Sequence, residues 1–179
     1  MIRLVRGSVD PKWIEIQRDG EVLQEIEVRF NLRKIPKSFD SQEEALTWLN
    51  ETEYKQARNR AYHLLSARSY PSTVLIQKLQ KNGYSDSVCQ AVLKKLEEQG
   101  LIQDEDFWAS FIRVEFQKGN GPRLIELKGK VKGMPPRYVR AYIDDDMQRE
   151  KIKKLEKKGF QSLMRKGFDV QLLVEFFRQ

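Results

Sequence analysis

Apolar and polar positions alternate along this chain in two different periods, and the change of period divides it. Ile26, Val28, Phe30 and Leu32 alternate with Glu27, Arg29, Asn31 and Arg33, the period-two pattern of a half-buried strand. The upstream run KWIEIQR leads into Asp19-Gly20, and Asp-Gly between two strand-like runs marks a β-hairpin. The expectation is a small antiparallel sheet over residues 2–33, closed by Pro36.

Beyond Pro36 the period is helical. Ser41 and Glu44 stand in capping-box spacing before Ala45, Leu46, Trp48 and Leu49, which predicts a linker helix. Three short amphipathic helices follow. Ala57, Ala61, Leu64 and Leu65 mark the first; Val74, Leu75 and Leu79 after Pro71-Ser72 the second; Val88, Ala91, Val92 and Leu96 after Asp86 the third, with Gly83 and Gly100 as punctuation. A second trio has Phe107, Phe111 and Ile112 after Asp104, a segment opened by Gly121-Pro122, and a segment opened by Pro135-Pro136 that carries Val139 and Tyr142. A third is compressed into residues 146–178.

The trios look like repeats. Aligned on Gly83, Gly133 and Gly167, each unit places an apolar residue one position later (Tyr84, Met134, Phe168), five later (Val88, Tyr138, Leu172) and nine later (Val92, Tyr142, Phe176). Any helix after a glycine has apolar residues four apart, which accounts for part of the match but not for the shared layout of the trios. The fold class read from this is mainly α: three degenerate three-helix repeats in an elongated curved array, preceded by a small N-terminal antiparallel β region. The expected division is 1–50 for the β region and linker helix, then 51–103, 104–145 and 146–179 for the repeats.

Composition narrows the partners. Residues 118–166 carry 15 Lys and Arg against 6 Asp and Glu, so this stretch holds +9 where the whole chain holds +7. A concentrated positive field draws in polyanions, although a Lys-rich helix face is often simply solvated. No run approaches the ~18 apolar residues of a membrane span, and MIRLVRGSVD lacks the apolar core of a secretory signal. A cytoplasmic location without a membrane partner is therefore expected. The single cysteine, Cys89, can make neither an internal disulfide nor a thiolate metal cluster.

Candidate chemistry is sparse. His63, the only imidazole, lies in the helical run AYHLL with no nucleophile at a telling spacing. There is no GxxxxGKS phosphate loop; GNGP at 119–122 lacks the Lys-Ser/Thr pair and reads as a turn into a helix, whose amides are at most a weak phosphate site. Asp144, Asp145 and Asp146 point apart on a helix and are expected to close one trio and cap the next helix. No catalytic residue, metal ligand or cofactor site is assigned, and the chain is read as non-enzymatic.

The order of these residues resembles the RecX family, regulators of the bacterial RecA recombinase. The resemblance runs over residues 57–178: Leu64, Leu65 and Arg68; Leu75 and Leu79; Leu96, Gly100, Leu101, Ile102 and Asp104; Lys118, Gly119, Gly121, Pro122 and Arg123; Gly133; and the turn Arg165 to Asp169. The chain departs from the family pattern at Pro71, Val74 and Gln103, and at Gly129, which occupies a slot normally filled by Leu and costs about 1 kcal/mol of helix propensity against Ala.

The resemblance implies a modulator, read as an inhibitor, that lies in the groove of the RecA filament on single-stranded DNA and limits filament growth, strand exchange and coprotease activity. Its partners would be the RecA filament and single-stranded DNA, with double-stranded DNA a further option, and it would act as a monomer in DNA repair, recombination and the SOS response. The expected contact residues are Arg68, Tyr70, Lys118, Arg123, Lys128, Lys130, Lys132, Arg137, Tyr138 and Arg140, used for charge pairing and positioning rather than base reading. Tyr70 and Tyr138 could stack on a base, though tyrosine at a helix start more often packs. Two other classes compete. Residues 71–102 also resemble the helix-turn-helix of a transcriptional regulator, but only Gln90, Lys94 and Lys95 are equipped to face a groove. A helical adaptor that touches protein alone is the other.

Overall fold

A computed structural model describes every residue except Ser8, Val9, Pro11, Arg33, Lys37 and Gln179, together with the backbone but not the side chain of Arg137. The N-terminal strands β1 (Ile2–Arg6), β2 (Trp13–Arg18) and β3 (Glu21–Glu27) form an antiparallel meander in the order β1-β2-β3. Asp19 and Gly20 both take positive φ, 52° and 92°, the type I′ turn whose twist matches the flanking strands. Ile2, Leu4, Ile14 and Ile16 share the buried face.

The third strand is shorter than the pattern predicted. Val28, Phe30 and Leu32 are buried and Arg29 and Asn31 exposed, as the alternation requires, yet β3 ends at Glu27. A period of two reports which side of an extended chain meets the core; it does not guarantee a neighbouring strand. Arg33, at the end of that run, lies outside the described residues.

Helix α1 (Gln42–Ala67) is one helix of 26 residues, so the linker helix and the first repeat helix are continuous and the boundary at 50/51 falls inside it. Its capping box is shifted by one residue: Ser41 Oγ accepts from the Glu44 N–H at 3.1 Å, and the Glu44 carboxylate accepts from the Asp40 N–H at 2.7 Å. Ala45 and Leu49 close the core of the sheet, while Ala57 and Ala61 pack with α2 (Ser72–Lys81) and α3 (Asp86–Glu98). Between these two patches Glu53 is buried, and its carboxylate accepts from the Ser85 N–H at the start of α3, a helix without a side-chain cap of its own.

The remaining helices are α4 (Asp104–Gln117), α5 (Pro122–Lys130), α6 (Arg137–Tyr142), α7 (Asp145–Lys154), α8 (Phe160–Arg165) and α9 (Val170–Phe177), with a 3-10 turn at Glu156–Lys158. The chain forms two compact units, Met1–Ile102 and Gln103–Gln179. In the second, Trp108, Ile112, Ile125 and Val139 make one core, and Ile152, Leu163, Phe168 and Leu173 make another.

The aligned glycines share one hydrogen-bond pattern. The N–H groups of Gly83, Gly133 and Gly167 donate to the carbonyls of Gln80, Lys130 and Met164, and the next N–H in each case reaches back five residues, to Leu79, Gly129 and Leu163. This is the Schellman helix end. Gly100 and Gly119, which the alignment left aside, end α3 and α4 in the same way.

One local reading changes, and two positions acquire their setting. Ala91 is exposed, and α3 instead buries Cys89 and Leu93 because its apolar stripe is wider than a four-residue spacing suggests. The cap position of α4 belongs to Gln103, with Asp104 the first helical residue. Gly129 leaves no hole: Met134 folds over it, and a Cβ there would meet Met134 Sδ at 2.8 Å.

Candidate nucleic-acid and filament interface

Six of the ten expected contact residues fall into three settings. Arg68, just after α1, donates from Nε to the Tyr70 hydroxyl at 2.7 Å, and its guanidinium lies 4.7 Å from the centre of the Tyr70 ring. The Lys78 ammonium approaches the same ring to 5.2 Å. The Arg68 hydrogen bond holds the Tyr70 phenol below its ordinary value. Tyr70 therefore gathers cations at the start of α2, and its ring is engaged by them.

The second setting is a carboxylate knot. Glu115 sits on the buried face of α4, where its Oε1 accepts from Lys118 at 2.7 Å and its Oε2 from Lys128 at 2.6 Å and from the Asn120 amide at 2.8 Å. Hydrogen bonds from Lys118 and Lys128 outweigh the cost of burial and lower the Glu115 carboxyl from its ordinary value to about 2. Two of the expected contact lysines thus have an internal partner. Sequence reasoning missed Glu115, although its place was legible: it follows Trp108 and Ile112 at seven and three residues, on the apolar face of the helix.

Arg123 and Arg140 occupy the third setting, a cleft of about 760 Å³ that Arg149 also lines. Glu126, Asp144, Asp145, Asp146 and Asp169 line it too, so this part of the basic segment is locally mixed in sign. Asp144 caps α7 through the Met147 N–H, the capping role expected of the aspartate run, and Asp169 caps α9 through Gln171 and Leu172. Arg149 bridges Asp146 and Glu175. The side chains of Arg123, Arg140 and Lys130 are exposed and make no hydrogen bond or ion pair among the described residues. Tyr138 is half-buried against the Trp108 core, and the Arg137 side chain lies outside the described residues.

The GNGP turn has a structural task. The Gly121 N–H donates to the Lys166 carbonyl at 2.7 Å and the Arg123 N–H to the Gly167 carbonyl at 3.0 Å, which docks the start of α5 on the turn between α8 and α9. A Cβ on Gly121 would lie 2.5 Å from the Gly167 carbonyl carbon, so backbone meets backbone there. Amides used in this way are not left for a phosphate.

Other candidates resolve simply. His63 is exposed on α1. Cys89 is buried, and that burial pushes its thiol up to about 11. Among the described residues no group of three or more His, Cys, Asp or Glu is placed to hold a metal ion, and no helix is long and apolar enough to cross a membrane. After α3 the chain enters α4 rather than the β-ribbon of a winged helix-turn-helix, and on α3 Lys95 is paired with Glu98.

The class defined by this architecture is a mainly α chain in which three-helix units follow a small N-terminal antiparallel sheet. Residues 57–96 match the model of the RecX first three-helix domain. The chain is 28% identical over 187 residues to the regulatory protein RecX of Geobacillus kaustophilus, covering 90% of this chain and 69% of that one. It is 34% identical over 95 residues to the regulatory protein RecX of Mycolicibacterium smegmatis, covering 52% of this chain and 50% of the relative. A crystal structure of a regulatory protein RecX shares the fold with a TM-score of 0.66 at 20% identity over 99% of both chains. The resemblance to the RecX family is thereby shown.

Proposed function

We propose that this chain regulates the RecA recombinase, as an inhibitor that lies in the groove of the filament on single-stranded DNA and limits its growth, strand exchange and coprotease activity. The observation that carries the reading is the +9 concentrated in residues 118–166 of a RecX-like chain. A basic three-helix surface neutralises phosphates and meets acidic protein faces in the same groove. Arg123, Lys130 and Arg140 are the residues best placed to give such contacts, because their exposed side chains make no ion pair among the described residues. Lys118 and Lys128 share theirs with Glu115. In this reading the β region and linker of residues 1–50 precede working segments 51–103, 104–145 and 146–179, the chain acts as a cytoplasmic monomer without a cofactor, and it performs no bond-making.

Co-sedimentation tests the proposal. The chain is mixed with recombinase filaments assembled on single-stranded DNA and with the same DNA alone, across a salt series. It should pellet with filaments, more tightly than with naked DNA, and the binding should weaken as salt rises. Salt-insensitive binding to the recombinase alone would favour the adaptor class, and footprint protection of one defined duplex operator would favour the helix-turn-helix class.

A further inference from the structure

We infer that a second feature of the helical unit, an apolar hole between α4, α6 and α7, seats one aromatic or branched aliphatic side chain carried on an acidic segment of the protein partner. The inference rests on the proposed function in that the partner is the recombinase, and it adds the chemistry by which the protein half of the filament is gripped. The hole has a volume of about 330 Å³, at the small end for ligand pockets and suited to one side chain rather than a cofactor. Ala109, Ile112 and Phe116 of α4 line one side, Tyr142 and Ile143 the α6 side, and Met147 of α7 completes it. Met147 is 41% exposed, and its unbranched thioether can adjust to the shape of an incoming group.

Charge selects the occupant. Among the described residues no carboxylate lines the hole, whereas five line the Arg123 cleft. Arg113 also lines it, exposed and without a hydrogen bond or ion pair among the described residues. The Lys151 ammonium is held beside it, donating to the Gln117 carbonyl at 3.2 Å and lying 5.5 Å from the centre of the Phe116 ring. An apolar anchor flanked by Asp or Glu would place its ring or branched end against Ile112 and Phe116 and its carboxylates against Arg113 and Lys151. Anchors buried in well-packed pockets dominate the energy of protein interfaces, and the charges around them select the partner.

The full chain tests this with Ala109→Trp, which fills the hole, and Arg113→Glu, which reverses the charge at it. Thermal melts establish that each variant folds. The readouts are the concentration giving half-maximal change in the DNA-dependent ATP hydrolysis of the recombinase, and affinity for single-stranded DNA alone. Each variant should raise the half-maximal concentration about tenfold or more, and Ala109→Trp should leave affinity for naked DNA unchanged. A folded Ala109→Trp chain with wild-type potency overturns the inference. If that variant does not fold, Met147→Glu at the exposed position replaces it, with the same loss expected and wild-type potency again overturning it. Self-association of the wild-type chain that Ala109→Trp abolishes would assign the hole to a second copy and overturn it equally. A wild-type chain without effect on the recombinase defeats the proposed function itself, and this inference with it; an active wild type with equally active variants defeats the inference alone.

Discussion

The carboxylate of Glu115 offers a stability measurement whose sign and size follow from geometry. Held at a pKa of about 2 by Lys118 and Lys128, it is ionised in the folded chain well below the range in which a free glutamate takes up a proton. A depressed carboxylate stabilises the fold fully above its unfolded pKa, and the contribution fades as pH falls through the folded value. The shift corresponds to about 3 kcal/mol near neutral pH and about half that near pH 3. The two lysine side chains are 60% and 42% exposed, so solvent screening trims the neutral-pH value to about 2 kcal/mol. Glu115→Gln should lower the urea midpoint accordingly near neutral pH, with the difference from wild type shrinking as both are titrated toward pH 2. A constant difference between the two chains across that range, or none near neutrality, would refute the assignment of the knot as an ionised, charge-assisted cluster.

Other predictions address separate parts of the molecule. Gly121→Ala should destabilise by about 2 kcal/mol or more in urea melts, because its Cβ would strike the Gly167 backbone; a wild-type melt would contradict the close docking of α5. Ser41→Ala should cost about 1 kcal/mol through the lost cap of α1, measured in the same melts. Replacing Lys128, Lys130 and Lys132 together by Ala should weaken DNA or filament binding and flatten its salt dependence. The slope should change by about one to two units rather than three, since Lys128 is already paired with Glu115; an unchanged slope would remove these lysines from the interface. The Cys89 thiol, buried and pushed up to about 11, should resist alkylation near neutral pH in the native chain and react once urea unfolds it.

Much of the fold was legible because each device is local. Asp19-Gly20, Ser41 with Glu44, and the glycine-ended helices depend on residues within a few positions of one another. The cores were partly legible: Leu75, Leu79 and Val92 were expected inside, while Trp108 was passed over although it is almost fully buried. What local pattern could not decide were relations across distance. Whether Phe30 had a strand neighbour, whether Gly129 left a void and whether GNGP met a phosphate or the turn at Gly167 depends on what packs opposite. The basic segment shows the same limit, since summing charge along the chain could not reveal that Lys118 and Lys128 converge on one buried Glu115. Of the expected contact set, the extent of charge was readable and its internal pairing was not.

The central claim is that this chain acts on a recombinase filament without chemistry of its own. Its most direct test is the DNA-dependent ATP hydrolysis of the cognate RecA on single-stranded DNA, followed while the chain is added up to equimolar amounts. The account predicts a progressive fall in hydrolysis as filaments stop growing; hydrolysis that stays level through stoichiometric addition would contradict it.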